Sequence, residues 1–482
     1  MKLLCHKRVA LGCAAAILGI SLSSLSNAGT RLSGTVRSDN RLCSNLETLD
    51  RPLVFNRNGV AYGISTSSDD NHRVAGEGRY FFFVSQNSAR NANNQFIPII
   101  PSLPTSEWGL FRRDLETGEF LLADKTLDNH SIGSNPSSVT ENGDRVYFYS
   151  YSDKLVAGDT NGESDIFEKN FATGELRRIN VSPDGSQVTN GYPGSFGPVV
   201  SGNGRFVAFE APKAKQIVPS FVFPNSGNVA GGLVMIDQSN NQRFYLSYAP
   251  NGAPLGGWSS SIALSIPDSG DLVAFSWLDA NRQPAPGRWA STVFMRDVSN
   301  QITIQIAPPV TQTNSNVNAT NPRISANAKV MLWLEAEYSS SGTLGAAKLK
   351  LFDLVGRAPI PVPSSLANAE VSYPQISADG NVITFVTNSR LNSNDTDNLY
   401  QAYTWNRSQQ SFKRLGIDGL AVTPALGSTN WPYADRTGMA TSFYGFAQSY
   451  TPGFFGDLFV LRTKKNCNKL EMITSTPPTS AE

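Results

Sequence analysis

Histidine, cysteine and charge are all scarce in this chain. Of 482 residues only three are histidine and four are cysteine, and 16% are Asp, Glu, Lys or Arg. Beyond the first few residues the histidines are His72 and His130, too far apart in sequence to form one metal cluster from a single motif. No His-Glu-x-x-His, Cys-x-x-Cys or Gly-x-Ser-x-Gly occurs, so zinc-hydrolase, thiol-redox and serine-hydrolase readings lack their defining residues. No catalytic constellation is therefore assigned. Long apolar runs are missing after the amino terminus, which excludes a later membrane-spanning helix.

The exception is the start of the chain. Lys2, Lys7 and Arg8 precede an apolar run from Val9 to Ile20, and Ser26-Asn27-Ala28 gives small residues at a cleavage position. Residues 1–28 thus read as a signal peptide, with a mature chain from Gly29 that is periplasmic or secreted. The run is shorter than the roughly 20 residues a spanning helix needs. Removing the signal leaves 37 basic against 39 acidic residues, a charge of −2. Such a balance offers no basic face for nucleic acid. It also gives no pull toward an anionic membrane.

Stretches poor in charge are rich in Ser, Asn, Gly and Thr, a composition of strands and turns. A pattern recurs: a short strand, a tight turn ending in Gly, then an apolar strand. Ser377-Ala378-Asp379-Gly380 leads into Asn381–Val386, and Ser201-Gly202-Asn203-Gly204 into Arg205–Phe209. Thr140–Gly143 and Pro267–Gly270 repeat it, with weaker copies at Glu77-Gly78, Asn327-Ala328 and Thr437-Gly438. Asx residues close such turns by bonding their own backbone, and Gly supplies positive φ. The turns are 52 to 66 residues apart, room for four strands each. A third strand follows in each unit, at Gly109–Asp114, Asp165–Asn170, Leu233–Asp237, Thr292–Asp297, Lys348–Asp353, Asn398–Tyr403 and Asp457–Arg462. The expected fold is all-β: a seven-bladed β-propeller of four-stranded antiparallel blades over residues 67–465.

These units resemble the TolB-like, WD-repeat-like propeller family. Ser377–Gly380 with Asn398-Leu399-Tyr400, and Asp165-Ile166-Phe167 with Thr173-Gly174, carry the resemblance, which extends over residues 67 to 463. It implies the propeller but no single activity. TolB binds protein partners at the cell envelope, whereas other relatives are fused to serine peptidases or cleave sugars as lyases. A counterpart of TolB's additional amino-terminal domain is not expected in this sequence.

Topology locates the expected site. In an antiparallel blade the tight turns share one end, while the second-to-third loops and the links between blades share the other. The long segments all fall at the second end, where loops on a rigid scaffold carry function. Arg282, Arg288, Trp289, Trp108, Trp258 and Trp431 are the candidate binding residues there, with Tyr433, Arg90, Lys213 and Lys215 beside them. Trp, Tyr and Arg dominate interface energetics. The expected function is an exported, monomeric, non-catalytic scaffold binding a protein or an envelope or extracellular polymer. The alternative is a carbohydrate-active enzyme, a glycoside hydrolase or lyase, using paired carboxylates on the same face or in the central channel. Asp159, Asn161 and Asp165 alternate around Gly162 as oxygen ligands of calcium do, although the loop departs from an EF-hand. The other reading of that loop is a set of Asx turns.

The seventh unit lacks an obvious fourth strand, and residues 29–66 contain an orphan strand-like segment. The expectation is that this segment supplies the outer strand of the last blade and that a Cys43–Cys467 disulfide locks the closure, since these cysteines flank the two strands. Residues 466–482 are expected to form a flexible tail.

Overall fold

The structure, a computed structural model, describes residues 72–472 except 91–95, 115–116, 118, 189–193, 222–230, 256–262, 280–282, 285–287, 309–315, 394, 397, 416–428, 439, 446–456 and 465–466. Strand residues 89–90, 96–97, 279, 429–431, 443–445 and 457–472 are described by backbone alone. Six four-stranded antiparallel blades follow one another from His72 to Arg414. Their first strands are His72–Ala75, Pro136–Val139, Phe196–Val200, Leu264–Ser265, Val317–Ile324 and Ser372–Ile376. A terminal four-stranded sheet follows, made of Thr429–Ala434, Ala440–Gly445, Asp457–Lys464 and Cys467–Met472. Strand order in space equals order in sequence within every blade, with one small hairpin, Ala89–Arg90 with Phe96–Ile97, inserted in blade 1.

The Ser-x-Asx-Gly pattern now has a mechanism. In blade 6 the Ser377 hydroxyl donates to Asp379 Oδ1 (2.5 Å) and accepts the N–H of Val382 (2.9 Å), fixing the entry to the second strand. Ser201 does the same with Asn203 (2.7 Å) and Phe206 (2.9 Å), and Ser325 with Asn327 (2.7 Å) and Val330 (3.0 Å). Gly143 has φ +72°, and a Cβ there would lie 2.4 Å from the Tyr80 ring of the preceding blade. The turn glycine is thus required twice, by the backbone and by blade-to-blade packing. Ala328, at the same place in blade 5, holds φ +56° despite its side chain.

The core lies between blades. Second strands are covered on both faces, so side chains alternate between two neighbours. In blade 3, Val207 and Phe209 pack with Tyr147 and Ile166 of blade 2, while Phe206 and Ala208 pack with Val273 and Phe275 of blade 4. Trp277, Trp333 and Trp405 are buried in these seams.

Two expectations are corrected. A seven-bladed ring closed by an amino-terminal strand gives way to six blades and a terminal sheet drawn entirely from residues 429–472. The place beside Asp457–Lys464 is taken by Cys467–Met472, inside the presumed tail. Lys464 pairs with Cys467, so the two strands are close neighbours in sequence. A local hairpin loses far less closure entropy than a strand brought back across about 400 residues. The first blade meets the terminal sheet directly: the Arg73 guanidinium lies 3.9 Å over the Tyr433 ring, and His72 meets that ring edge-on at 5.1 Å. The signal segment 1–28, residues 29–66 and Cys43 lie outside the described residues, and of Cys467 only the backbone is described. The expected disulfide therefore has no described partner pair.

The third strand of blade 6 is Gln401–Asn406, three residues later than Asn398–Tyr403. Asn398-Leu399-Tyr400 lies in the preceding loop, with Leu399 and Tyr400 exposed, and Gln401-Ala402-Tyr403 occupies the strand. With this shift all six blades end their third strand in Asp or Asn. Asn406 Oδ1 accepts the N–H of Gln409 (3.0 Å), as Asn170 accepts from Ala172 (2.9 Å) and Asp353 from Val355 (2.9 Å). The Asx turn sets the hairpin register, overriding the apolar-aromatic motif.

Candidate binding face and central cavity

The tight-turn end is bonded from blade to blade. Gly76 N donates to Glu141 O (2.7 Å), Glu141 N to Gly202 O (2.9 Å) and Gly202 N to the Asp268 carboxylate (2.6 Å). Asp268 N then donates to Ala326 O (3.0 Å), Asn327 N to Ala378 O (3.0 Å) and Ala378 N to Arg436 O. Arg436, from the terminal sheet, reaches across the ring. Its guanidinium bonds Asp268 of blade 4 (3.1 Å) and the carbonyl of Val200 in blade 3 (2.8 Å).

The long-loop end has a different surface. Among the described residues ten large hydrophobic side chains are exposed, and six of them lie in long loops or blade links: Leu127, Tyr151, Trp289, Leu344, Leu399 and Tyr400. Only Val355 lies in a turn of the opposite end. Trp289 is 45% exposed beside exposed Arg288. Its carbonyl accepts a bond from the Tyr338 hydroxyl of blade 5 (3.4 Å), and Asn318 accepts the N–H of Ser291 (2.7 Å). The Arg288–Trp289 step is thus held at the seam of blades 4 and 5. On the same end His130 Nδ1 lies 2.5 Å from Glu107 Oε1, and this contact raises the histidine pKa.

The other expected face residues are dispersed. Trp108 begins the third strand of blade 1 and is half-buried against the blade 1–2 core. Tyr433 faces the channel from a first strand, because first strands line the axis. Lys215 donates to Pro219 O (2.8 Å) around a one-turn helix, Ala214–Ile217, whose N-cap position is Lys213. Trp258 and Arg282 lie outside the described residues, and the side chains of Trp431 and Arg90 are likewise not described.

Asp159, Asn161 and Asp165 do come together, but around an arginine. Arg178, from the outer strand of blade 2, bonds Asp159 Oδ1 (3.0 Å) and Asp165 Oδ2 (3.1 Å). Asn161 Nδ2 donates to Asp165 (3.4 Å) and to Val188 O (3.1 Å), so its amide nitrogen turns inward. Burial and the like charge of Asp165 push the Asp159 carboxyl up to about 6, against the pull of Arg178. Blade 6 repeats the device with the same spacing: Arg414 bonds Asp395 (3.1 Å), which Tyr403 also reaches (2.5 Å). Sequence reasoning marked the blade 2 loop but missed the outer-strand arginines, whose fixed distance from Asp159 and from Asp395 was the available signal. Among the described residues no group of three or more His, Cys, Asp or Glu could hold a metal ion.

On the axis lies a cavity of about 210 Å³, lined by first strands of every blade and of the terminal sheet. Its lining carries Arg73, Arg323 and Arg436 but one carboxylate, Glu141. A pair of carboxylates, which the glycosidase alternative requires, is not among these lining residues.

No family model matches the chain, and no curated protein matches it. Solved structures similar to it include β-propeller domains. The β-propeller domain of the Trilobed protease from Pyrococcus furiosus is 10% identical, with a TM-score of 0.49 over 87% of this chain and 100% of that one. An oligogalacturonate lyase from Vibrio parahaemolyticus is 12% identical, with a TM-score of 0.42 over 69% of this chain and 75% of that one. A puromycin-hydrolyzing peptidase from Mycobacterium tuberculosis is 11% identical, with a TM-score of 0.48 over 89% of this chain, which spans only 58% of the peptidase.

Proposed function

We propose that this chain is an exported, monomeric, non-catalytic propeller scaffold that binds a protein or an extracellular polymer through its long-loop face. The observation that carries this reading is the uneven placement of exposed large side chains: six at the long-loop end against one in the opposite turns. Aromatic and arginine side chains on a rigid frame lose little entropy on binding, and they supply most of the energy at interfaces. Arg288 and Trp289 fit that role best, both being exposed, with Trp289 anchored through its backbone carbonyl. A TolB-like role in capturing an envelope partner agrees with this reading.

The test is capture from envelope and culture extracts by the protein without its first 28 residues. An Arg288→Ala/Trp289→Ala variant should lose the captured partner by about tenfold or more. Val355→Ala, an exposed change at the other end, should leave capture unchanged. Equal capture by wild type and the double variant, both folded, would overturn the assignment of the face.

A further inference from the structure

Two of the exposed large hydrophobics, Ile302 and Ile304, lie neither in a long loop nor in a turn but on one outer strand. That strand, Ile302–Ala307, is the fourth of blade 4 and pairs with Ala290–Asp297. Among the described residues no strand covers its other side, so alternate N–H and C=O groups along it point outward.

An open edge is a template for further pairing, and proteins blunt such edges with short strands, charge or proline. The other five blades do so. Phe120–Leu122 and Ala358–Ile360 have three residues each, the latter with Pro359 inside it. Leu176–Arg178, Gln242–Tyr245 and Ser411–Arg414 each carry arginine. Blade 4 instead presents six residues, Ile-Thr-Ile-Gln-Ile-Ala, without charge or proline. Its pairing is regular from Ile302 to Gln305, and a bulge follows at Ile306. Side chains alternate along the regular stretch: Ile302 (54% exposed) and Ile304 (46%) share one face, whereas Thr303 is buried on the other. On the isoleucine face the third strand sets Asp297 opposite Ile302 and Met295 opposite Ile304. The Asp297 carboxylate is bonded by neutral groups, the N–H and Nδ2 of Asn300 (both 2.8 Å). The neighbouring Arg296 directs its guanidinium to Gln301 O (2.7 Å) and Thr303 Oγ1 (3.1 Å).

We propose that the outer edge of blade 4 accepts an extended segment of another protein as a fifth strand, antiparallel to Ile302–Gln305. A row of backbone donors and acceptors is matched by another backbone, which selects a peptide over a sugar or a lipid. Ile302 and Ile304 select β-branched apolar side chains at alternate guest positions, because adjacent strands pair side chains on a shared face. Asp297 stands at the start of the edge, so it meets the carboxyl-terminal end of an antiparallel guest and favours a lysine or arginine there. The edge lies on the rim of the ring. This site is therefore independent of the face reading, and either can fail without the other.

The probe is the peptide fluorescein-Thr-Val-Thr-Val-Thr-Lys-amide, titrated with the exported protein and read by fluorescence anisotropy. It should bind saturably, and the same peptide methylated on every backbone nitrogen, which cannot donate to a ladder, should not. Ile304→Lys, a charge of the kind that guards the other edges, should weaken binding about tenfold or more. Asp297→Asn should weaken it about threefold, as the loss of one cross-strand charge pair implies. The Arg288→Ala/Trp289→Ala variant should bind the peptide as the wild type does. No saturable binding, equal binding by the methylated peptide, unchanged binding in a folded Ile304→Lys protein, or loss in the long-loop variant would each overturn the proposal. So would self-association of the native protein that Ile304→Lys abolishes, since a second copy would then hold the edge. Should Ile304→Lys fail to fold, Ile302→Lys, at the more exposed position, takes its place.

Discussion

The two ends of the ring are built from the same repeats yet do opposite things with them. At the tight-turn end each turn spends its polar groups on the next blade, and Arg436 closes the axis. At the long-loop end the loops differ from blade to blade: a hairpin in blade 1, an arginine-clamped loop in blades 2 and 6, a one-turn helix in blade 3. Apolar side chains remain exposed there. One end is constrained by its neighbours at every position. The other needs only to begin and end at a strand, so its loops can vary without disturbing the frame.

The largest expected effect comes from breaking the constrained end. Gly143→Ala would place a methyl group within 2.4 Å of the Tyr80 ring position on a backbone at φ +72°. Left-handed strain and overpacking together should cost about 3 kcal/mol, read as a lower urea midpoint. A loss under about 0.5 kcal/mol would show that the turns do not tie the blades as described.

The arginine clamp tests whether a long loop is held by its own charges or by calcium. Arg178→Met leaves Asp159 and Asp165 buried together, which should cost about 2–3 kcal/mol at pH 7. Burial already favours the protonated Asp159 carboxyl, whose value near 6 exceeds that of an unfolded chain. Protonation therefore favours the fold, and the variant should recover stability as pH falls from 7 to 5. With Arg178 in place, calcium added after chelation should leave the melting temperature unchanged. A calcium-dependent rise that Asp159→Ala abolishes would instead establish the ion site.

The smallest effect runs the other way. Ala328 holds the left-handed turn position that glycine fills elsewhere. Ala328→Gly should stabilise by about 1 kcal/mol, visible as a small rise in melting temperature. A decrease would mean that the Ala328 methyl contributes packing that outweighs the strain.

Much of the fold was legible in the sequence because turn chemistry is local. Ser377, Asp379 and Gly380 bond within five residues, so their pattern alone marks where strands begin. The second strands read as apolar runs because blades cover both their faces. The third strand of blade 6 was misplaced because Leu399-Tyr400 mimics the strand motif that Ala402-Tyr403 fills. Asn406, the turn residue that sets the register, was the better guide. The candidate site was less legible. Topology placed the long loops at one end, but Trp108 and Tyr433 went to a blade seam and to the axis.

By itself, then, the sequence determined a repeated four-stranded β unit and the end of the ring on which its loops would vary. Those follow from periodicity and from turn residues whose partners are near in the chain. Only the tertiary structure decided that a local hairpin, not an amino-terminal strand, completes the last sheet. It alone set Arg178 between Asp159 and Asp165, and carried Arg436 across the axis to Asp268, 168 residues away in sequence. Such contacts depend on which strands face one another once the ring has closed, and that information is carried by no single repeat.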